Sequence, residues 1–322
     1  MLPVVEPIRT IRADRGDAGE RLDRALVRHL ADLALPRVEV ARWIRDGKVA
    51  VNGDGAPKAS LRLAKGDLVA VTLPLPPPDT PPLLAQELPL AILFEDEHLL
   101  AIDKPPGLVV HPTWGHREGT LLNALLWRAR EWDSAVARPR MVHRLDKDTS
   151  GLLLVAKTRA AHAELARAFQ RRQVSKEYLA LVHGRPSADR GRIDLPISRI
   201  PTDPKRRTTD DPSGRPALTD WQLVAEAPDR PIALLVCRPQ TGRTHQIRVH
   251  LAAIGLPIVG DPLYGTGEPL LPRQALHAAR LALDHPVSGQ RLELEAPLPP
   301  DLVALLASLE MGDAAHSTHK SA

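Results

Sequence analysis

The sequence predicts an α+β protein in which a small N-terminal domain precedes a larger domain built on a mixed or antiparallel sheet. From about residue 90, short apolar runs alternate with turn signals, as is typical of strands. A few helical patterns lie between these runs. A proline-rich stretch, PLPPPDTPP at 74–82, marks a boundary because proline favours an extended spacer. We predict domains at 1–75 and 90–309, a linker at 76–89 and a flexible tail at 310–322.

The N-terminal domain is predicted to hold two helices and a small sheet. ERLDRALVRHLA at 20–31 has apolar residues at helical spacing, and a second helix is expected between Pro36 and Gly47. KVAVNG and DLVAVTL have the composition of strands, and the first ends in an Asn-Gly turn. This order of elements resembles the S4-type RNA-binding domain, and a small helical cap with no role in RNA binding is the alternative. The basic residues expected to bind RNA here are Arg37, Arg42, Arg45 and Lys48.

Three helices are predicted in the larger domain. The first spans 120–129, and the second spans 158–172 with Thr158 as its N-cap. The third begins after Thr244 and ends at Gly255, since glycine commonly terminates a helix. The residues expected on its buried face are Ile247, Leu251 and Ile254.

Composition excludes several classes of protein. With 43% hydrophobic residues among 322, the chain can bury a sizeable core, so wholesale disorder is excluded. The single cysteine, Cys237, cannot form an internal disulfide and is expected to be a buried, inert thiol, which fits a reducing cytoplasm. The chain has neither a signal-peptide pattern nor a long apolar run that would span a membrane. We therefore expect a cytoplasmic, monomeric protein that does not contact a membrane.

Positive charge is concentrated in part of the chain. The formal net charge is +4, but residues 138–177 alone carry 10 lysines and arginines against 4 acidic residues. A local excess of this kind attracts polyanions, because it neutralises phosphates and releases their counterions. An ordinary solvated basic face would have the same composition.

The segment HRLDKDTSG at 143–151 combines charged and hydroxyl side chains directly before an apolar strand, GLLLVAK. Groups at the end of a strand can line a cleft while the strand holds them in place. Flanked by Arg144 and Lys147, the Asp146 carboxylate is expected to stay ionised and to serve as a nucleophile or base. Taken alone, the segment is also compatible with a solvated turn that contains internal salt bridges.

HRLDKDTSG resembles the signature of the RluA-type RNA pseudouridine synthases. DKPPGLVVHP at 103–112 and RPQTGRTHQIRVHLAAIG at 238–255 are similar to two further motifs of that family. The resemblance implies that Asp146 is the catalytic residue and that Arg144 fills the stack left by the target base. It also implies the family's fold, with a large sheet, and an RNA substrate.

The same resemblance assigns further site residues. Tyr178 matches the tyrosine that stacks on the base, and Arg248 the arginine that pairs with the catalytic aspartate. Leu276 matches an apolar residue beside the active site. Arg243 is expected to contact RNA or to structure its loop, and Lys147 is expected to bind the substrate. A core role alone is the alternative for Tyr178 and Leu276, and phosphate binding or capping is the alternative for Arg248.

The implied reaction breaks the bond between ribose C1′ and uracil N1, turns the base and rejoins it through C5. Atoms rearrange without loss, so no cofactor and no metal is expected. Large-subunit ribosomal RNA is the expected substrate, with transfer RNA as the alternative. The sequence leaves open whether Asp146 attacks a carbon or removes a ribose proton.

Two other functions fit parts of the sequence. A metal-dependent hydrolase could use some of the 13 histidines, but the best pair, His245 and His250, does not share a face on a helix or on a strand. A non-catalytic RNA-binding or ribosome-assembly factor would use the basic residues alone. It would have no need of Asp146, Tyr178 and Arg248 together.

Overall fold

The computed structural model divides the chain into two compact units, 1–82 and 83–322, and each unit is described by itself. Residues 76–82 of the predicted linker, 76–89, lie outside the described residues. The structure describes residues 8–30, 33, 35, 37–55, 57–73, 83–112, 117–132 and 138–312.

The first unit packs two helices on a four-stranded antiparallel sheet. Its strand order is β1-β4-β2-β3, and Val40 and Ile44 of the second helix pack in the same core as Val69 and Val71. Leu22 and the leucines that follow it at helical spacing complete this core, as the sequence pattern indicated. The elements are β1 (Ile8–Arg12), α1 (Leu22–His29), α2 (Arg37–Arg45), β2 (Val49–Val51), β3 (Asp54–Gly55) and β4 (Leu68–Thr72).

The second unit is built on a ten-stranded mixed sheet, so the predicted α+β class is confirmed. Its strands are β5 (Ala91–Glu95), β6 (Leu99–Lys104), β7 (Arg140–Met141), β8 (Ser150–Ala156), β9 (Ser175–His183), β10 (Arg190–Asp194), β13 (Leu218–Glu226), β14 (Ile232–Pro239), β15 (Leu276–Asp284) and β16 (Arg291–Glu295). A separate hairpin contains β11 (Ser198–Ile200) and β12 (Asp203–Thr208). The helices are α3 (Leu121–Arg128), α4 (Arg159–Gln170), α5 (Gln246–Ala253) and α6 (Pro300–Ser308).

The sheet is antiparallel except where β8 runs parallel to β15. Its main path follows the order β10-β13-β14-β9-β15-β8-β6-β5. Gly151, in the second position of β8, has φ +104°, and a Cβ built on it would stand 2.2 Å from the carbonyl oxygen of Ala278 on β15. Only glycine permits this approach, so Gly151 brings the segment 143–149 against the centre of the sheet.

The predicted helices are present, and one detail differs from expectation. Helix α4 is capped by Thr158, whose Oγ1 accepts a hydrogen bond from the Ala161 amide at 3.1 Å. The prediction that Ile254 is buried was wrong: α5 ends at Ala253, which leaves Ile254 beyond its last turn and 39% exposed. At the predicted start of the tail, Met311 is 2% exposed and packs in the same core as α6. Residues 313–322 lie outside the described part.

Candidate active site

Asp146 lies in the loop before β8, at a cavity of about 370 Å³ on one face of the large unit. Leu145, beside it, is buried in the core and anchors the loop. Tyr178 and Leu276 line the cavity from the neighbouring strands β9 and β15, and Arg248 lines it from α5. This volume is within the range of small-molecule sites.

Arg248 holds the Asp146 carboxylate. Its Nη1 donates to Asp146 Oδ2 at 3.0 Å, while its Nε and Nη2 donate to the two oxygens of Asp261 at 2.6 and 2.7 Å. The Asp261 carboxylate is buried and also accepts the backbone N–H groups of Leu263 and Tyr264. Burial alone would lower the pKa of Arg248, but the two carboxylates outweigh it and raise that pKa. The guanidinium is therefore a fixed positive charge that orients Asp146.

Tyr178 presents an aromatic ring to the same cavity. It lies on β9 between Cys237 of β14 and Ala278 of β15, so both neighbouring strands fix its position. Burial, with a further contribution from the negative charge of Asp146, raises the pKa of its phenol above the ordinary value. The phenol therefore stays protonated at neutral pH and can stack on a base or donate a proton.

The loop before α5 is held by one buried amide. Gln246 Oε1 accepts from the Thr241 hydroxyl at 2.7 Å and from the Arg243 backbone N–H at 3.0 Å. Its Nε2 donates to the Leu218 carbonyl at 2.9 Å. The Arg243 side chain lines the cavity and donates to the Pro216 carbonyl at 3.1 Å. Its guanidinium is thus partly engaged by the protein.

Lys104 anchors the catalytic loop from beneath. Its side chain is fully buried, and its Nζ donates to the carbonyl of Lys147 at 2.8 Å and to the carbonyls of Pro105 and Leu108 at 2.8 and 3.1 Å. Burial lowers its pKa to about 8, and the negative charges of Asp148 and Asp146 act in the opposite direction. Three acceptors satisfy a buried ammonium, so this contact joins the segment 103–112 to the loop that carries Asp146.

The remaining predicted residues occupy different positions. Arg144 is exposed at the cavity and Leu276 is 4% exposed in the core while lining it. The Lys147 side chain is exposed and lies outside the cavity lining, although its carbonyl binds Lys104. Lys147 therefore does not line this cavity, and its expected contact with RNA stays a prediction.

In the first unit, the four predicted RNA-binding residues differ in their contacts. Arg37 donates through Nε and Nη2 to Asp23 Oδ2 at 2.9 and 2.7 Å, so it satisfies a buried carboxylate of α1. Arg42 lies within 3.9 Å of Glu39 and 3.6 Å of Asp46. Arg45 is exposed and Lys48 is half-buried. Arg37 therefore has a structural task that the sequence did not indicate.

The sequence did not indicate a role in this site for four residues that surround it: Lys176, His245, Asp261 and Tyr264. Lys176 lines the cavity, and burial lowers the pKa of its amine to about 8. Asp261 and Tyr264 come from GLPIVGDPLYG at 255–265, a segment that resembles the family only as a whole. Aspartate in a turn commonly accepts backbone N–H groups a few positions on, as Asp261 does, so nothing in the sequence indicated that this carboxylate also binds Arg248.

The pairing of His245 and His250 in a metal site does not fit the geometry. His250 is fully buried, with Nδ1 bonded to the Thr219 hydroxyl at 2.9 Å and Nε2 to the Leu195 carbonyl at 3.0 Å. Both of its ring nitrogens are thus occupied by the protein. In the described segments, no three His, Cys, Asp or Glu side chains form a cluster that could hold a metal ion. Among the helices the structure describes, none is long and apolar enough to cross a bilayer.

The mixed sheet and its carboxylate–arginine–tyrosine cavity define an RNA-modifying isomerase, as comparison with known proteins shows. The profile for RNA pseudouridylate synthase matches residues 98–253. Ribosomal large subunit pseudouridine synthase D of Nitrosomonas europaea is 46% identical over 301 residues, which cover 91% of this chain and 85% of that protein. The chain therefore belongs to the RNA pseudouridine synthase family, whose members convert uridine in RNA to pseudouridine.

Two other similar proteins agree. Uncharacterized RNA pseudouridine synthase YlyB of Bacillus subtilis is 42% identical over 302 residues, covering 93% of this chain and 97% of that protein. The solved structure of Human RNA Pseudouridylate Synthase Domain Containing 1 superposes with a TM-score of 0.55 at 29% identity, covering 69% of this chain and 95% of that chain. The expected family and fold of the large unit are confirmed.

Proposed function

We propose that this protein isomerises uridines of large-subunit ribosomal RNA, with Asp146 as the catalytic residue. The observation that carries the proposal is the Asp146 carboxylate, bonded to Arg248 at 3.0 Å and facing a cavity lined by Tyr178 and Leu276. The target is supported by the similarity to large-subunit synthases from several bacteria. We infer that the enzyme works in the cytoplasm as a monomer and needs neither cofactor nor metal.

We assign each residue a task in this reaction. Asp146 acts at the ribose or the base while the C1′–N1 bond breaks, and Arg248 fixes its orientation. Tyr178 stacks on the freed uracil during its rotation, since its ring is held by strands on both sides. When the C1′–C5 bond has formed, a proton leaves C5 and N1 carries one, so the product is an isomer of the substrate.

The target nucleotide must leave its helix to reach this cavity. Unstacking costs a few kcal/mol, which contacts to flanking phosphates offset. Arg144 is exposed and lines the cavity, which supports its proposed role of occupying the space that the base leaves. Lys176 and Arg243 add positive charge along the lining.

We also propose that the first unit is an S4-type RNA-binding domain. Two helices on a small antiparallel sheet, with Arg42 and Arg45 exposed on α2, support this assignment. The domain would add affinity for phosphates without reading bases.

The test compares wild-type protein with Asp146→Asn on transcripts of large-subunit ribosomal RNA and transfer RNA. Asp229→Asn, at an exposed turn, is the matched control. We expect pseudouridine in the ribosomal transcript with wild type and control, and none with Asp146→Asn. Product in transfer RNA alone would refute the target, and activity retained by Asp146→Asn would refute the catalytic assignment.

A further inference from the structure

His245 occupies an unusual position next to the catalytic carboxylate. It immediately precedes α5, lines the cavity and has φ +59°, in the left-handed region that non-glycine residues seldom adopt. Its Nε2 lies 3.9 Å from Asp146 Oδ2. A strained backbone at this point directs the imidazole toward Asp146, and such strain is found where the surrounding structure requires one side-chain direction.

Hydrogen bonds on the far side of the ring decide which nitrogen carries the proton. The Tyr264 hydroxyl oxygen accepts the Arg207 backbone N–H at 2.7 Å and lies 2.9 Å from His245 Nδ1. At this distance the hydroxyl can donate its proton to Nδ1. In that arrangement the neutral ring carries its own proton on Nε2, toward Asp146.

The charge state of the imidazole agrees with this assignment. Burial holds the pKa of His245 below its ordinary value, and the positive charges of Arg248 and Arg207 act in the same direction, while Asp146 and Asp261 oppose them. A neutral ring with one N–H group is thus the form present near pH 7. It adds a directed donor to the site without adding a second full charge.

Arg248 and His245 approach the same oxygen of Asp146. Arg248 Nη1 is 3.0 Å from Oδ2, and His245 Nε2 is 3.9 Å from it. The second distance is too long for a hydrogen bond in the free protein, but catalytic bonds commonly tighten when substrate binds. Two donors on Oδ2 would leave Oδ1 available to the nucleotide.

We propose that His245 is a positioning residue, which acts through Asp146 by donating from Nε2 to Oδ2 in the RNA complex, with its tautomer set by Tyr264. This inference rests on the proposed catalytic role of Asp146. It also connects the hairpin strand β12, through the Arg207 backbone and Tyr264, to the reacting carboxylate.

Two substitutions separate positioning from structural support. The amide of His245→Gln reaches the place of Nε2 and keeps a donor toward Asp146, whereas that of His245→Asn reaches only the place of Nδ1. Asparagine tolerates the left-handed backbone better than glutamine does. Thermal stability should therefore be higher for the asparagine variant, and the catalytic rate should be higher for the glutamine variant.

The experiment measures single-turnover rates at saturating RNA transcript, RNA affinity and melting temperature. We expect His245→Asn to lose roughly 10- to 100-fold in rate with unchanged affinity, as for the loss of one directed donor. We expect His245→Gln to stay within about threefold of wild type, because its amide retains that donor. Equal losses in both variants, a rate that follows melting temperature, or an undiminished rate in the asparagine variant would overturn the proposal.

Tyr264→Phe decides the matter if the glutamine variant does not fold. Phenylalanine keeps the ring that lies 5.3 Å from the Arg248 guanidinium but removes the hydroxyl that selects the tautomer. The rate should fall severalfold at unchanged RNA affinity, and an unchanged rate would overturn the role of Tyr264. Asp146→Asn in the same assay tests the proposed function separately, since activity in that variant would refute the catalytic carboxylate itself.

Discussion

Arg248 donates to both carboxylate oxygens of Asp261, through Nε and Nη2, at 2.6 and 2.7 Å. This fork leaves Nη1 as the nitrogen that holds Asp146. The orientation of the catalytic carboxylate thus depends on a second acid that does not line the cavity.

Asp261→Asn should therefore slow the reaction without abolishing RNA binding. The neutral amide has one oxygen, so it cannot accept hydrogen bonds at both positions where the Asp261 carboxylate accepts them. Arg248 should therefore shift, and misplacement by about 1 Å costs roughly 100-fold in rate. Breaking a buried ion pair should also lower the free energy of unfolding by about 3 kcal/mol. Single-turnover kinetics and urea denaturation measure the two effects.

Asp284→Asn is the matched control, because the Asp284 side chain is 71% exposed in its pair with Arg291. It should change neither quantity appreciably. If Asp261→Asn behaves like this control, the fork does not orient Asp146.

RNA affinity should depend on pH through Lys176. Its amine lines the cavity and has a pKa lowered to about 8 by burial. The protonated form attracts phosphate, so affinity should be highest below pH 8 and should fall as pH rises through that value. Equilibrium binding from pH 7 to 9 measures the loss.

Two variants isolate this effect. Lys176→Arg keeps its charge throughout, so its affinity should not vary over that range. Lys176→Met should bind more weakly at every pH and should reduce the slope of log affinity against log salt by about 1. If the affinity of Lys176→Arg falls with pH in the same way as that of the wild type, a group other than Lys176 titrates.

Gly151→Ala should prevent stable folding of the large unit. The added Cβ would meet the Ala278 carbonyl oxygen at 2.2 Å and would sit on a backbone with φ +104°. Movement of β8 away from β15 would disturb the core, so we expect a loss of about 4 kcal/mol or more. Soluble yield and thermal unfolding report it.

Gly289→Ala provides the comparison, since Gly289 has φ +71° but an added Cβ there would meet nothing within 4 Å. Backbone strain alone should cost it about 1 kcal/mol. Similar losses at both positions would mean that the contact with Ala278 is unimportant.

Arg37 and Arg45 should differ in what their substitution changes. Arg37→Ala removes a partner of the buried Asp23 carboxylate and should lower the free energy of unfolding by about 1–3 kcal/mol. Arg45→Ala should leave stability nearly unchanged and reduce the slope of log RNA affinity against log salt by about 1. Loss of stability in Arg45→Ala, or its absence in Arg37→Ala, would contradict these assignments.

Local patterns predicted local structure well. Thr158 lies at a helix start because its hydroxyl satisfies an amide three residues later, and that bond depends on neighbours in sequence. Ile254 has the helical spacing of a buried residue, yet α5 ends at the residue before it and the chain turns at Gly255. Spacing alone does not report where the last turn stops.

The site was predicted in part. Asp146, Tyr178 and Arg248 came from resemblance, and the structure brings all three to one cavity although 102 residues separate Asp146 from Arg248. Asp261 and Tyr264 were missed because their importance lies in contacts with Arg248 and His245, which arise only in the folded chain. The ion pair of Arg37 with Asp23 was missed for the same reason, since Asp23 belongs to another helix.

The buried ammonium of Lys104 has a consequence for the energetics of RNA binding. Because it ties Lys147 to Leu108 and Pro105, the loop bearing Asp146 is held in place without RNA. Binding then does not have to supply the free energy of ordering this loop. More of the interaction energy is left to offset the unstacking of the target uridine.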